Sequence, residues 1–176
     1  MLSLAFLIPV ALPSCKSAIP NREILGQGFP AVVGESLAGE RMELPAHSGP
    51  AVLLVGYAQD AQFDADRWIY GLLQAKPTAT ILEVPTIPGL FPRVASGWID
   101  SGMRSGIPSE DWASVVTVYG SDAGRIAEFT GNEKPRNIRV LLLDSEGRVR
   151  WFHDRGFSAG KLLELDQAIR ALPAQK

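Results

Sequence analysis

Residues 137–152, NIRVLLLDSEGRVRWF, constrain the fold more tightly than any other stretch of the chain. Positions 138–143 form an almost unbroken apolar run with β-branched members, short enough for a strand covered on both faces. Asp144-Ser145-Glu146-Gly147 follows; the Asp side chain can bond the backbone ahead of it, and Gly147 can take the positive φ that a short hairpin loop demands. A second run, 148–152, alternates. Val149 and Trp151 are expected on one face and Arg148, Arg150 and Phe152 on the other, and a strand with one wet face belongs near a sheet edge. Gly156 then interrupts the chain, Ser158 is placed to cap a helix, and Leu162, Leu163, Leu165, Ile169 and Leu172 give an apolar stripe at helical spacing. A buried strand, a hairpin partner and a covering C-terminal helix make half of an α/β sandwich.

The rest of the chain supplies the other half. Residues 29–44 are expected to form two short strands around Gly39, and 51–57 (AVLLVGY) a central buried strand. A helix is expected over 60–75, with Phe63, Trp68, Leu72 and Leu73 towards the sheet and Asp60 or Asp64 at its positive N-terminal end. Residues 80–84 should be a parallel strand ended by Pro85 and Pro88. Val94, Trp98, Ile99 and Met103 mark a helical face within 89–106. A turn around Trp112, a strand over 115–119 and a helix over 122–129, opened by Ser121 or Asp122 and stopped by Gly131, lead back to the hairpin. The expected order is β-β-β-α-β-α-β-α-β-β-α.

With 176 residues, 46% of them hydrophobic, the chain can bury one substantial core. A net charge of -2 with interspersed signs excludes the concentrated basic face that nucleic acid requires. No apolar run reaches the roughly 18 residues of a membrane span. Residues 1–12 are apolar apart from Ser3 and run into Leu12-Pro13-Ser14-Cys15, which resembles a bacterial signal peptide ending in a lipobox. That resemblance implies a signal segment over 1–15, lipidation of Cys15, a tether over 16–28, a folded domain over 29–176, and export to a membrane surface facing the periplasm.

The Phe29-Pro30 element, the Gly34-x-x-Leu37-x-Gly39 turn and the Leu141–Val149 hairpin resemble the thioredoxin-like proteins of the peroxiredoxin and thiol-disulfide lipoprotein type. The resemblance implies a three-layer α/β sandwich with a central mixed sheet. Such proteins carry a reactive Cys between the first central strand and its helix, where the helix N-terminus depresses the thiol pKa. Here residues 57–65 read YAQDAQFDA, without a thiol, and Cys15 is the only cysteine in the chain. The proline that such proteins place before the hairpin strand is also missing: Ile138 stands there, and Pro135 lies three residues earlier. Thiol exchange and thiol peroxidase chemistry are excluded, and no cofactor is implied.

Other chemistries have few residues to work with. His47 and His153 are the only histidines, and no nucleophile elbow occurs. Asp60, Asp64 and Asp66 cluster at a helix start, where capping explains them without a metal. Trp98 and Trp112, flanking a Gly- and Pro-containing stretch with Arg93 and Arg104, have the composition of an interaction surface. Residues 83–88 (EVPTIP), 102–108 (GMRSGIP) and 142–151 (LLDSEGRVRW) are similar to the ATP10 group, assembly factors for the F0 part of ATP synthase with a non-redox version of this fold. The resulting expectation is a redox-inactive binding or assembly module for a protein client. Its surface would combine Tyr57, Gln59, Asp60 and Gln62 with Arg93, Trp98, Arg104 and Trp112, and with Pro135, Arg136 and Asn137. The alternatives are an enzyme using His47 or His153 with Asp60, or an unrelated periplasmic role.

Overall fold

A computed structural model describes residues 18–46, 49–89 and 93–173, without the side chains of 93–96 and 98. Cys15 with its lipobox and His47 lie outside the described residues. The strands are β1 (Val32–Ser36), β2 (Arg41–Leu44), β3 (Ala51–Gly56), β4 (Thr80–Pro88), β5 (Val116–Tyr119), β6 (Arg139–Leu143) and β7 (Val149–His153). The helices are α1 (Gln62–Ala75), α2 (Arg93–Gly106), α3 (Gly120–Thr130) and α4 (Ala159–Arg170), and 3-10 segments Gln59–Ala61 and Ser109–Ser114 precede α1 and β5. This is the element order expected from the sequence. The strands form one sheet in the order β2-β1-β5-β4-β3-β6-β7. β3, β4 and β5 run parallel, and β6 and β7 close one side antiparallel.

Alternation along β3 divides the core in two. Leu53 and Val55 pack with Leu82, Val84, Leu141 and Ile126 of α3 on one face. Val52 and Leu54 pack with Val140, Leu142, Trp68 and Leu72 of α1, and Leu165 and Ile169 of α4, on the other. Trp68 is fully buried and meets Trp151 and Phe157 edge-on at 6.1 and 5.4 Å, a favoured aromatic geometry.

Several local expectations are corrected. Val149 and Trp151 do not share a face, because a bulge shifts the register between Leu142 and Leu143, setting Leu143 against Val149 and Leu142 against Trp151. Val149 and Phe152 therefore join the α3 side and Trp151 the α1 side. On α1, Phe63 and Leu73 are exposed because Ala65, Trp68 and Leu72, with Ile69 beside them, are the residues in phase with the sheet, and on α4 Leu163 is exposed because Leu165 and Ile169 are. β4 runs on to Pro88: Pro85 lacks a donor but its fixed φ suits an extended chain, and pairing passes from β3 to β5 at Thr86. Neither Ser158 nor Asp122 makes a side-chain cap. Asp122 instead accepts the Val33 amide of β1 at 2.7 Å and pairs with Arg125 at 2.6 Å. Residues 18–28, expected as a free tether, are packed on the domain. Ile24 is buried in the core, Gly26 N and Gln27 O bond Val149, and Phe29 N bonds Gly147 O.

Candidate functional site

The carboxyl end of β3, where the chain turns into α1, is formed by Tyr57 and the exposed residues Gln59 and Asp60. Tyr57 is half-buried. Its hydroxyl is 2.7 Å from Thr130 Oγ1, and its ring lies over the Arg139 guanidinium, with Cζ 5.2 Å from the ring centroid. Burial pushes the phenol up to about 12, against the opposing effects of the Thr130 hydrogen bond and the Arg139 charge, so Tyr57 is neutral and cannot serve as a base near neutral pH.

Arg139 is the unexpected component. It is wholly buried in a strand otherwise made of Val and Leu, and burial lowers its pKa while Tyr57 and Asp154 oppose the shift. Its Nε donates to Gly131 O at 3.1 Å, and Nη1 donates to Lys134 O and Asn137 O, each at 2.7 Å. The planar fork of a guanidinium can hold three divergent carbonyls at once, which fixes residues 131–137 as a folded loop beside Tyr57. Asn137 also reaches Asp154 O through its amide at 3.3 Å.

That loop brings two predicted stretches together. Arg136 on the loop pairs with Asp60 at 3.3 Å, both side chains largely exposed, so the pair contributes position more than stability. Pro135 and Tyr57 line one open cleft of about 350 Å³ with Ile87, Pro88, Asn132 and Ala18. Gln62 is exposed and donates to Asp66 at 2.9 Å. Arg104 and Trp112 form a second cluster. Arg104 donates to Leu37 O at 2.7 Å and sits over the Trp112 ring at 5.8 Å, while Trp112 Nε1 donates to Ile107 O at 3.0 Å. Leu37 N bonds Val115 O at the amino end of β5, whereas Tyr57 is at the carboxyl end of β3, so the two clusters sit at opposite strand ends. Arg93 and Trp98 belong to α2, but their side chains are outside the described residues.

The remaining carboxylates and the described histidine are committed elsewhere. Asp64 is buried, and accepts the Ile138 amide at 2.9 Å and the Phe157 amide at 2.7 Å, which binds α1 to the start of β6 and to the loop before α4. His153 Nε2 is 2.8 Å from Gly156 O, and its ring lies 5.9 Å from both Trp68 and Trp151. Among the described residues no group of three His, Cys, Asp or Glu side chains is placed to hold a metal, and no helix is long and apolar enough to cross a membrane. Arg139, Thr130 and Asn132 are not marked by any sequence motif, and Asp64, expected at the helix start, is instead a clamp on two distant amides. The lone Arg inside NIRVLLL was the one available signal.

No protein-family model matches the chain, and no curated protein matches it in sequence. Solved structures do. The thioredoxin domain of a thiol-disulfide oxidoreductase from Bacteroides vulgatus superposes with a TM-score of 0.57 at 16% identity, over 84% of this chain and 99% of that one. BsSco, a member of the Sco family of cytochrome c oxidase assembly proteins, gives 0.57 at 9%, over 87% and 99%. The exposed lipoprotein thioredoxin of Streptococcus pneumoniae gives 0.54 at 12%, over 78% and 98%. At such identities the likeness concerns backbone architecture, and with the seven-stranded mixed sheet and its flanking helices it establishes that this chain has the thioredoxin-like fold.

Proposed function

We propose that this chain is a redox-inactive thioredoxin-like module that binds a protein client, acting in the assembly of a membrane complex while held to a bacterial membrane through Cys15. The observation that carries the reading is the β3–α1 junction. Its residues 57–62, YAQDAQ, include no thiol; Tyr57 itself is neutral, and the carbonyl-bound Arg139 lies against its ring. Disulfide exchange needs an attacking thiolate and a resolving thiol, and the chain has one cysteine in total. What remains at the junction is a recognition surface made of the cleft lined by Tyr57 and Pro135 and of the exposed Asp60–Arg136 pair that joins the same two segments.

The assembly role draws on the backbone architecture shared with a Sco assembly protein; the likeness of residues 83–88, 102–108 and 142–151 to the ATP10 group is not backed by any family match. The lipid anchor and the periplasmic side are supported by the apolar segment ending in Leu12-Pro13-Ser14-Cys15 and by the fold shared with a lipoprotein thioredoxin. The test is affinity capture from detergent-solubilised native membranes with the full chain. The reading predicts that a membrane-complex subunit is retained, that Asp60→Ala with Arg136→Ala weakens retention, and that His153→Ala and a thiol reductant leave it unchanged. Loss of capture on reduction, or turnover abolished by His153→Ala, contradicts it.

A further inference from the structure

The polar segment ahead of the core is held in two very different ways. Its second half is fastened by Ile24, 1% exposed, and by main-chain bonds from Gly26, Gln27 and Phe29 to the β6–β7 hairpin. Its first half buries no large apolar side chain. Ile19 N donates to Asn132 Oδ1 at 2.7 Å, and Asn132 N donates to Ile19 O at 2.9 Å, so one asparagine satisfies both main-chain groups of Ile19, through its side chain and its own amide. Arg139 Nη2 reaches Asn21 Oδ1 at 3.4 Å. Gly131, at φ 72°, lies so close beneath that a Cβ there would come within 2.3 Å of Pro20 O and 2.6 Å of Asn21 Cα. Ala18 ends this run as a lining residue of the cleft beside Tyr57 and Pro135. Between the halves, Arg22 and Glu23 are exposed.

We propose that residues 18–21 are a self-ligand, a detachable extended segment seated in a peptide-accepting groove of Gly131, Asn132 and Arg139, which an extended client peptide displaces. The identity of the displacing peptide as a client rests on the function proposed above; detachment of the segment does not. Lifting 18–21 breaks a few hydrogen bonds, while 24–29 stays fixed by burial, so the hinge falls at Arg22 and Glu23. The vacated groove offers an amide N–H and a side-chain carbonyl on Asn132, a flat approach over Gly131 and a guanidinium donor. It therefore suits an extended segment with a residue giving N–H and C=O to Asn132 and, two positions on, a side-chain acceptor for Arg139. A carboxylate there forms a charge-assisted bond and binds more tightly than an amide.

The experiment uses the full chain, its Ile19→Pro variant, which removes the donor to Asn132, and Asn21→Gly as a second strap variant. Hydrogen exchange of the Asn132 amide should be at least about tenfold faster than that of Phe29 and Val149, since local opening suffices. Exchange of all three together overturns detachment, whatever the client. Fluorescently labelled Ser-Ala-Ile-Pro-Asn-Arg and Ser-Ala-Ile-Pro-Asp-Arg are then titrated by anisotropy. Both strap variants should bind about fivefold more tightly than the unaltered chain, the ratio given by loss of one ordinary hydrogen bond from the competing segment. The Asp peptide should bind more tightly than the Asn peptide, and on the Ile19→Pro background, where the strap makes no bond to the Asn132 side chain, Asn132→Ala should weaken both. Fast Asn132 exchange without peptide binding overturns the groove as a peptide acceptor. Peptide binding without client capture from membranes overturns the function proposed above and leaves the self-ligand standing.

Discussion

Replacing Asp64 tests the long-range architecture most sharply. Its two carboxylate oxygens accept the amides of Ile138 and Phe157, 74 and 93 residues away in sequence, from a side chain that is 9% exposed. Each charge-assisted bond contributes about 1.5–3 kcal/mol, a gross value of about 3–6 for the pair. Phe157 is half-buried and its amide can be rehydrated, whereas Ile138 is 2% exposed and its orphaned N–H stays unpaired. Asp64→Ala should therefore cost about 3–5 kcal/mol. Asp64→Asn keeps the shape and one acceptor oxygen but turns an NH2 towards one of the two donors, and should cost about 2–3 kcal/mol. The assay is urea unfolding followed by tryptophan fluorescence, with Trp68 reporting on the same cluster. The midpoints should fall in the order wild type, Asn, Ala, at a common slope. An Asn variant within about 0.5 kcal/mol of wild type, well below one such bond, would refute the two-bond clamp.

Leu142→Ala, at a fully buried position of β6, should cost about 2–5 kcal/mol by leaving a cavity between α1 and α4, read as a fall in the urea midpoint. Gly71→Ala places a Cβ 2.5 Å from Leu162 Cδ2 where α4 lies against α1, and should cost about 1–3 kcal/mol by pushing the helices apart, measured as a lowered Tm. The Asp122 carboxyl is held below its usual range by the Arg125 hydrogen bond and then by the Val33 amide. A depressed carboxylate contributes stability above its unfolded pKa and loses it as pH falls through the folded one. The stability difference between wild type and Asp122→Asn should accordingly be full near neutrality and vanish on acidification. Arg139→Met should release residues 131–137, seen as faster amide exchange across that loop while the α1 amides are unchanged.

What could be read directly was what local chemistry decides. The β6–β7 hairpin was legible because Asp144 and Gly147 are adjacent to the strands they join: Asp144 Oδ1 accepts the amides of Glu146 and Arg148, and Gly147 takes φ 75°. The facing of β7 was not, because the bulge beside Leu143 has no sequence mark and it swaps the sides of Trp151 and Phe152. Asp64 and Asp122 looked like helix-start acids. Their partners on β1, β6 and the loop before α4 are set by the fold, so no spacing rule could reach them. Residues 18–28 read as tether because their polar composition hides main-chain pairing, which any side chain permits. At the site, Tyr57 and Pro135 line one cleft, while Arg104, near the end of α2, is tied to Leu37 beside the amino end of β5, a contact set by the fold and not by any local spacing.

Site-specific photocrosslinking in native membranes asks whether the thiol-free β3–α1 junction is a client-binding surface. A photoreactive residue placed at Gln59 or Pro135 of the full chain is compared with one at Tyr70, which is 67% exposed on the outward side of α1. Gln59 and Pro135 should give adducts to one and the same membrane-complex subunit, undiminished by thiol reductant, and Tyr70 should give none. Adducts equal at all three positions, or none at Gln59 and Pro135, would contradict client binding at this junction.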